Sequence, residues 1–181
     1  MISKNSLPDQ HVGEEVVLHL RRHWFIFLKI FLFVVILALI PMALYYMISQ
    51  NIPTIIESDI GYPLLLVLFL SYYLILLVAI LTVWTENYLD VWTITTDRII
   101  NREQNSLFNR IVSELELKMV QDVTAEQKGF FPTVFYYGDV YIQSAGEKER
   151  FVFEQIPQPY KIAKIIQQLD EKAKKNSPER I

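Results

Sequence analysis

Two long runs without charge constrain this chain more than any other feature of its sequence. The first extends from Ile30 to Ile48 and the second from Pro63 to Trp84, with no Asp, Glu, Lys or Arg in either. At about 1.5 Å per residue, each run forms a helix of roughly 28 Å or more, which matches a hydrocarbon core of about 30 Å. The first run can be lengthened back past Lys29, so we predict transmembrane helices over residues 24–48 and 63–84.

Aromatic and basic residues flank both runs where a bilayer has its headgroup layers. Trp24 and Trp84 lie at one pair of ends, and with Arg21 and Arg22 they form a predicted set of interface anchors. Tyrosines occupy the other pair of ends: Tyr45, Tyr46 and Tyr62. A cleavable signal peptide is the alternative for the first run, but that run exceeds a usual apolar core and no small-x-small site follows it.

The distribution of basic residues predicts the orientation of the two spans. Four of them precede the uncharged run that begins at Ile30: Lys4, Arg21, Arg22 and Lys29. The connector, residues 49–62, has no basic residue and carries Glu57 and Asp59. By the positive-inside bias the connector is external and both termini are cytoplasmic, in a plasma (inner) membrane protein that crosses twice.

The interiors of the predicted spans contain few polar groups. Pro41 is expected to bend the first helix, and the hydroxyls of Ser71, Tyr72 and Tyr73 are placed to hydrogen-bond across the pair. No ionisable side chain lies deep in either span, so the usual marker of a transporter or proton relay is missing. We interpret the hydroxyls as packing groups.

Short alternating segments after the spans predict a soluble domain over residues 85–175, followed by a tail, 176–181. Tight turns separate several of these segments, one at Thr96 and Asp97 and one over residues 145–147. Residues 104–108 read as a polar bend. The stretch 113–120 is compatible with strand or with a helical turn. The six predicted strands are Tyr88 to Thr95, Arg98 to Glu103, Ile111 to Leu117, Val120 to Glu126, Asp139 to Ser144, and Arg150 to Glu154.

The last segment has helical periodicity after Pro157 and Pro159, which end the predicted strand region. Its apolar face consists of Ile162, Ile165, Ile166, Leu169 and Ala173. Its polar face consists of Lys161, Lys164, Gln168, Glu171 and Lys172. Short strands in hairpin order followed by one amphipathic helix predict an α+β domain, a bent antiparallel sandwich or barrel capped by that helix.

The segment YLDVWTITTDRIINRE after the second run, with MVQDVTAEQKGFFPTVFYYGDVYIQSAGEKERFVFEQIPQP, resembles the bacterial pleckstrin-homology-like (PH-like) domain of small membrane proteins. The similarity covers about half of the chain, and the EEVVLHLRRHWFIFL approach to the first span is also familiar in that family. It implies seven strands and a C-terminal capping helix, with TTDRII at the first hairpin turn and YGDVYIQSAG at a later one. The seventh strand would come from the stretch between Leu107 and Val120.

The resemblance does not bring a ligand with it. Phosphoinositide-binding relatives place several basic residues around the first hairpin, whereas this chain has Arg98 and Arg102 with Asp97 and Glu103 beside them. From Thr85 onward there are 13 Lys and Arg against 15 Asp and Glu, which favours neither nucleic acid nor anionic lipid as a general partner. Arg98, Arg102 and Arg110 are the nearest candidate for a basic patch, although a solvated face is the commoner outcome.

The motif search gives no support for catalysis. The chain has no cysteine, phosphate-cradling glycine loop, H-E-x-x-H or G-x-S-x-G motif. His19 and His23 would share a helix face, but no third ligand is placed to complete a metal site, so interfacial residues are the better interpretation. Asp139 follows Gly138 and is expected to close a turn. We therefore expect no enzyme activity, no cofactor and no metal.

Five aromatic residues lie within eight positions of one short bend: Phe130, Phe131, Phe135, Tyr136 and Tyr137. The favoured interpretation is that they plug one end of a small barrel as core. The alternative is an exposed surface for a partner or the adjacent bilayer, with Phe130 and Phe131 as contacts.

Together these features predict a membrane-anchored, non-catalytic PH-like binding or scaffolding module that acts through protein contacts at the cytoplasmic face of the membrane. The expected partners are the lipid bilayer and either a protein or a second copy of the chain, with no nucleic acid. The sequence does not identify a small-molecule ligand. The alternatives are a subunit of a small channel or transporter, which the uncharged spans disfavour, and an anionic-lipid-binding module.

Overall fold

A computed structural model of the protein describes residues 13–144 and 151–176. The chain divides into two compact units. The first unit is residues 24–85. The second unit combines the chain up to His23 with the chain from Glu86 onward. The predicted turn at residues 145–147 and the tail from 177 lie outside the described residues.

Helices account for the first unit, the apolar one. They are α1 (Trp24–Asn51), α2 (Pro53–Glu57) and α3 (Gly61–Leu89). By length and composition, α1 and α3 are both able to cross a membrane. The connector contains the short helix α2, with Pro53 in its first turn, where a missing N–H costs no hydrogen bond. The expected strand start at Tyr88 is wrong, because α3 continues to Leu89 before the chain becomes extended.

Pro41 lies inside α1, which continues as one helix through it. Proline has no N–H, so the carbonyl of Leu37, four residues earlier, loses its helical donor. The Tyr72 hydroxyl donates to that carbonyl over 2.9 Å, and the Tyr73 hydroxyl donates to the carbonyl of Ala38 over 2.9 Å. The predicted hydrogen bonds between the two helices are therefore present for these two tyrosines, and Tyr72 replaces the donor that Pro41 lacks.

The described part of the second unit contains seven strands, and the six predicted segments all contain one. The seventh strand is not between Leu107 and Val120 as expected: it is Val16–Arg21, before α1. The stretch 113–120, for which both a strand and a helical turn were compatible with the sequence, contains both: the end of a strand, up to Glu116, and then one 3₁₀ turn, Leu117–Met119. In chain order the strands are β1 (Val16–Arg21), β2 (Val91–Thr95), β3 (Arg98–Gln104), β4 (Arg110–Glu116), β5 (Val120–Glu126), β6 (Tyr137–Ser144) and β7 (Phe151–Pro157).

The strands make two antiparallel sheets, of order β1-β2-β3-β4 and β5-β6-β7. Among the described residues the 3₁₀ turn connects β4 to β5, and these strands share no ladder, so the expected barrel is not closed. The α+β architecture of bent antiparallel sheets with a C-terminal helix is present. The first predicted hairpin is also present, because the Thr95 hydroxyl accepts bonds from the N–H groups of Asp97 and Arg98.

One hydrophobic core joins both sheets to the C-terminal helix α5 (Pro159–Asn176). Alternate residues of β2 and β3, Trp92, Ile94 and Ile99, point inward to meet Phe153 of β7. From α5, Ile166 is fully buried in this core, with Ile162 beside it, while the predicted polar face is exposed. The predicted amphipathic helix and its apolar face are confirmed.

The running directions of the strands give the second unit two distinct ends. The chain leaves this unit at His23 and returns at Glu86, and we call this side the exit end. β2, β4 and β6 start there, whereas β1, β3 and β5 run toward it. The distal end carries the β2–β3 turn and the 3₁₀ turn after β4. The α4 helix (Phe130–Phe135), between β5 and β6, belongs to the exit end.

Asp139 braces an irregularity between β6 and β7 instead of closing a turn. The ladder shifts register after Gly138, and Gln155 takes a positive φ of 54°. The Asp139 carboxylate accepts the backbone N–H of Gln155 over 2.7 Å, so the strain has a specific compensating bond. Gly138 is required for a different reason: a Cβ at this position would lie 2.2 Å from the Glu126 carbonyl oxygen.

Candidate binding surfaces

Arg98, the central residue of the predicted basic patch, is buried and neutralised. Its guanidinium Nε donates to Glu14 over 3.0 Å, and one terminal nitrogen donates to Glu114 over 2.6 Å. The Glu14 side chain is 0% exposed and that of Arg98 is 8% exposed. The hydrogen bond to Glu14 is the main cause that raises the pKa of Arg98. Arg98 is therefore a structural residue, and the predicted patch loses its centre.

Arg102 and Arg110 are placed differently from Arg98. They lie diagonally on one face of the β3–β4 ladder, because Arg102 faces Val112 and Arg110 faces Gln104. Arg110 is exposed and Arg102 is half-buried. Two separated arginines without Arg98 do not make the convergent cluster that grips a phosphate bidentately.

A cleft of about 690 Å³ opens at the distal end. It lies between the β2–β3 turn, the segment before β1, the 3₁₀ turn and the last turns of α5. Its charged lining is balanced: Glu15, Asp97 and Glu116 against Arg98, Lys118 and Lys172. Lys118 is further tied to Glu116 by a 2.6 Å ion pair. Because both signs alternate around it, the cleft has no selective field for an anionic or cationic ligand.

Strand β4 is the outer edge of the four-stranded sheet, and most of its side chains are open to solvent, whereas Leu115 is buried. Val112 is 53% exposed and Ile111 is 41% exposed, on opposite faces of the strand. An antiparallel edge strand turns alternate N–H and C=O groups away from its sheet, where another strand can pair with them. The central segment Ile111-Val112-Ser113 carries no charge to oppose such pairing.

The edge strand of the other sheet, β5, is covered. Helix α5 packs along it, and the Lys174 ammonium donates to the Val120 carbonyl over 2.9 Å. The Gln167 side-chain amide donates to the Val123 carbonyl over 3.4 Å. These bonds occupy outward groups that a neighbouring strand would use, so α5 protects one edge of the unit and leaves β4 as an open one.

The aromatic bend forms the single-turn helix α4, and most of its rings face solvent. Phe130 is 75% exposed, and Phe131 and Tyr136 are also exposed, while Phe135 is half-buried. Tyr137 alone of the five is buried, and burial raises its pKa. The favoured interpretation of this bend as core is therefore wrong for all but its last residue.

The predicted anchors separate into two groups. Trp24, Trp84 and Arg21 are exposed, and the Arg21 guanidinium lies 5.4 Å from the centre of the Tyr88 ring. Arg22 instead belongs to the interior of the second unit. It donates to Asp90 over 2.9 Å and to Glu154 over 2.9 Å, thereby linking β1, the start of β2 and β7.

His19 and His23 do not share a helix face, because His19 belongs to β1 and His23 follows that strand. The Nδ1 of His19 lies 3.1 Å from the Thr93 hydroxyl, and His23 stacks on Tyr137 at 5.2 Å. Burial lowers the pKa of His23. Within residues 13–144 and 151–176, no three His, Asp or Glu side chains are grouped to hold a metal ion.

Comparison with known proteins gives one structural match and no assignment. No family model matches the chain, and no curated protein matches it. Among solved structures, it is similar to a DUF1696 family protein with a pleckstrin-homology domain from Shewanella loihica. That match has 18% identity and a TM-score of 0.38, and it covers 45% of this chain and 70% of the other.

Proposed function

We propose that the protein is a membrane-anchored, non-catalytic binding module whose PH-like unit assembles protein partners at the cytoplasmic face, first of all a second copy of itself. The open edge of β4 carries this proposal. It offers backbone hydrogen bonds for affinity, and the exposed Ile111 and Val112 offer side-chain contacts for selectivity.

The two apolar helices support the anchoring. A helix that is apolar on all sides needs an apolar surrounding, either protein or lipid. None of the most apolar window of α3 is buried within the protein, and only 17% of that of α1 is buried. A core helix of a soluble protein would be mostly covered, so lipid is the surrounding that suits these helices.

Anchoring makes a weak edge contact sufficient. Confinement to a thin layer beside the bilayer raises the effective concentration of neighbouring copies, and pairing that fails in solution then becomes populated. The burial of Arg98 supports protein as the partner class over phosphoinositide, since the first hairpin retains no free cationic pair.

The test is disulfide cross-linking of the full chain, which has no native cysteine, after reconstitution in lipid nanodiscs that hold two copies. Ser113→Cys on β4 should give a covalent dimer under mild oxidation. Adding Val112→Lys should abolish the dimer, because a lysine on an open edge opposes strand pairing. The matched control is Thr124→Lys on β5, an exposed position on the edge that α5 covers.

Two results would contradict the proposal. Dimer yields that are equal with Val112→Lys and Thr124→Lys would show that the β4 edge is not the contact. Solute flux through liposomes containing the protein would favour the channel alternative instead.

A further inference from the structure

We infer that the exit end of the second unit, hereafter the soluble unit, carries two apolar contacts with the lipid surface, one in the loop between β3 and β4 and one on α4. Phe108 forms the first contact, and Phe130 with Phe131 forms the second. The inference rests on the proposed anchoring and goes beyond it, because it assigns a bilayer-binding surface to the soluble unit itself.

The first contact is a short, ordered loop with an aromatic tip. Phe108 is 98% exposed, and Leu107 before it is partly exposed. The loop is closed by the Asn105 N–H, which donates to the Asn109 carbonyl over 2.7 Å. The Ser106 N–H donates to the Glu86 carboxylate over 3.0 Å. The loop that carries Phe108 is thereby tied through Ser106 to Glu86, where the chain enters the soluble unit from the second apolar helix.

The second contact lies beside the other passage of the chain. Helix α4 ends at Phe135, two residues before Tyr137, whose ring stacks on that of His23. His23 immediately precedes Trp24, the first residue of α1. The exposed rings of α4 are thus close in sequence to Tyr137, which contacts the last residue before the first apolar helix. A Thr133 hydroxyl bond of 2.8 Å to the Gly129 carbonyl holds the turn that presents them.

Strand direction places both contacts on one side of the soluble unit. β4 runs from the Phe108 loop to the 3₁₀ turn, and β5 runs from the 3₁₀ turn back to α4. Each strand has seven residues, about 20 Å at the usual rise, so both contacts lie far from the distal end.

The bilayer is the occupant that fits these positions. Any membrane around α1 and α3 passes close to the residues where the chain leaves the soluble unit, because His23 and Trp24 are covalent neighbours. Aromatic rings favour the headgroup layer, where apolar burial needs no matching protein surface. Arg110 follows the Phe108 loop as an exposed cation, which suits an anionic leaflet.

The experiment measures the depth of single labels on the full chain. Phe108→Cys and Phe130→Cys are each labelled with bimane in nanodiscs of phosphatidylcholine and phosphatidylglycerol, with and without doxyl-labelled lipid. Met119→Cys, on an exposed residue of the distal end, is the matched control. Leu68→Cys, an exposed position in the first third of α3, reports on the span itself. Doxyl lipid should quench the labels at positions 108 and 130 strongly and the label at 119 little.

Each other result overturns the inference in a recognisable way. If doxyl lipid quenches the label at position 68, but quenches the labels at positions 108 and 130 as little as the label at position 119, the surface contact alone is refuted. No quenching at 68 would refute the anchoring on which it depends. Protection of positions 108 and 130 from aqueous iodide without quenching by doxyl lipid would show that a protein covers them.

Discussion

The ion pair between Glu14 and Arg98 leads to a quantitative prediction about stability. Glu14→Gln keeps the size of the side chain and one acceptor oxygen but removes the charge opposite a buried guanidinium. Deleting one partner of a buried ion pair costs about 3–5 kcal/mol, because the remaining charge stays desolvated. Since Glu114 still neutralises Arg98 and the amide oxygen can accept one bond, we expect a loss of about 2–3 kcal/mol.

Thermal unfolding of the full chain in nanodiscs measures this loss through near-ultraviolet circular dichroism, to which the buried Trp92 contributes. At about 4–8 °C per kcal/mol for a domain of this size, Tm should fall by roughly 10–20 °C. Glu114→Gln is the matched control: that side chain is 45% exposed, and its loss should cost less than about 1 kcal/mol. The double variant Glu14→Leu/Arg98→Met should recover most of the stability, because paired apolar side chains remove the desolvation cost.

The reasoning would be refuted if Glu14→Gln and Glu114→Gln melted within about 2 °C of each other, a difference of well under 1 kcal/mol. A double variant less stable than Glu14→Gln would also count against it, since the cost would then lie in lost packing and not in an unpaired charge.

Three further predictions concern pH, packing and topology. Because burial lowers the pKa of His23, the unfolded chain binds a proton that the folded one does not, so stability should be lost as pH falls below about 6.5. His23→Phe, which retains a ring against Tyr137, should flatten the dependence of Tm on pH below that value, and an unchanged slope would contradict this. Ile166→Asp, at a fully buried position, should unfold the soluble unit; a melting curve like the parent's would show that α5 does not close the core. In intact cells an impermeant thiol reagent should label Asp59→Cys and not Lys172→Cys, and the reverse pattern would invert the predicted orientation.

Local pattern was sufficient for most elements of the fold. The alternation in β2, β3 and β5 and the helical spacing of α5 are short-range properties, and each predicts the correct type of element, although the predicted start of β2 at Tyr88 is too early. Strand β1 also alternates, with Leu18 and Leu20 facing the core, but its pattern runs directly into the apolar stretch of α1. Its partner strand begins only after both long helices, so no hairpin signal marks it.

The errors about Arg98 and Arg22 have one physical origin, which is pairing with residues far away in the sequence. By local pattern Arg98 is an exposed hairpin arginine, and only the contact with Glu14, 84 positions away, explains its burial. Arg22 similarly donates a hydrogen bond to Glu154, which lies 132 positions away in the sequence. The exposure of Phe130 was equally beyond local reasoning, since a hydrophobic residue in a bend has the same pattern whether it plugs a core or faces solvent.

The pairing of β1 with β2 has a consequence for biosynthesis. One strand of this pair is translated before both long helices and the other after them, with His19 and Thr93 brought together across 74 positions. The four-stranded sheet therefore cannot be completed until both helices have emerged from the ribosome. In a membrane-anchored chain in which only one helix inserted, the two strands would be held on opposite sides of the bilayer, and Arg98 would have no Glu14. In such an anchored chain, completion of the four-stranded sheet would require insertion of both helices, and a half-inserted chain would expose an unfinished sheet edge that quality-control proteases can recognise.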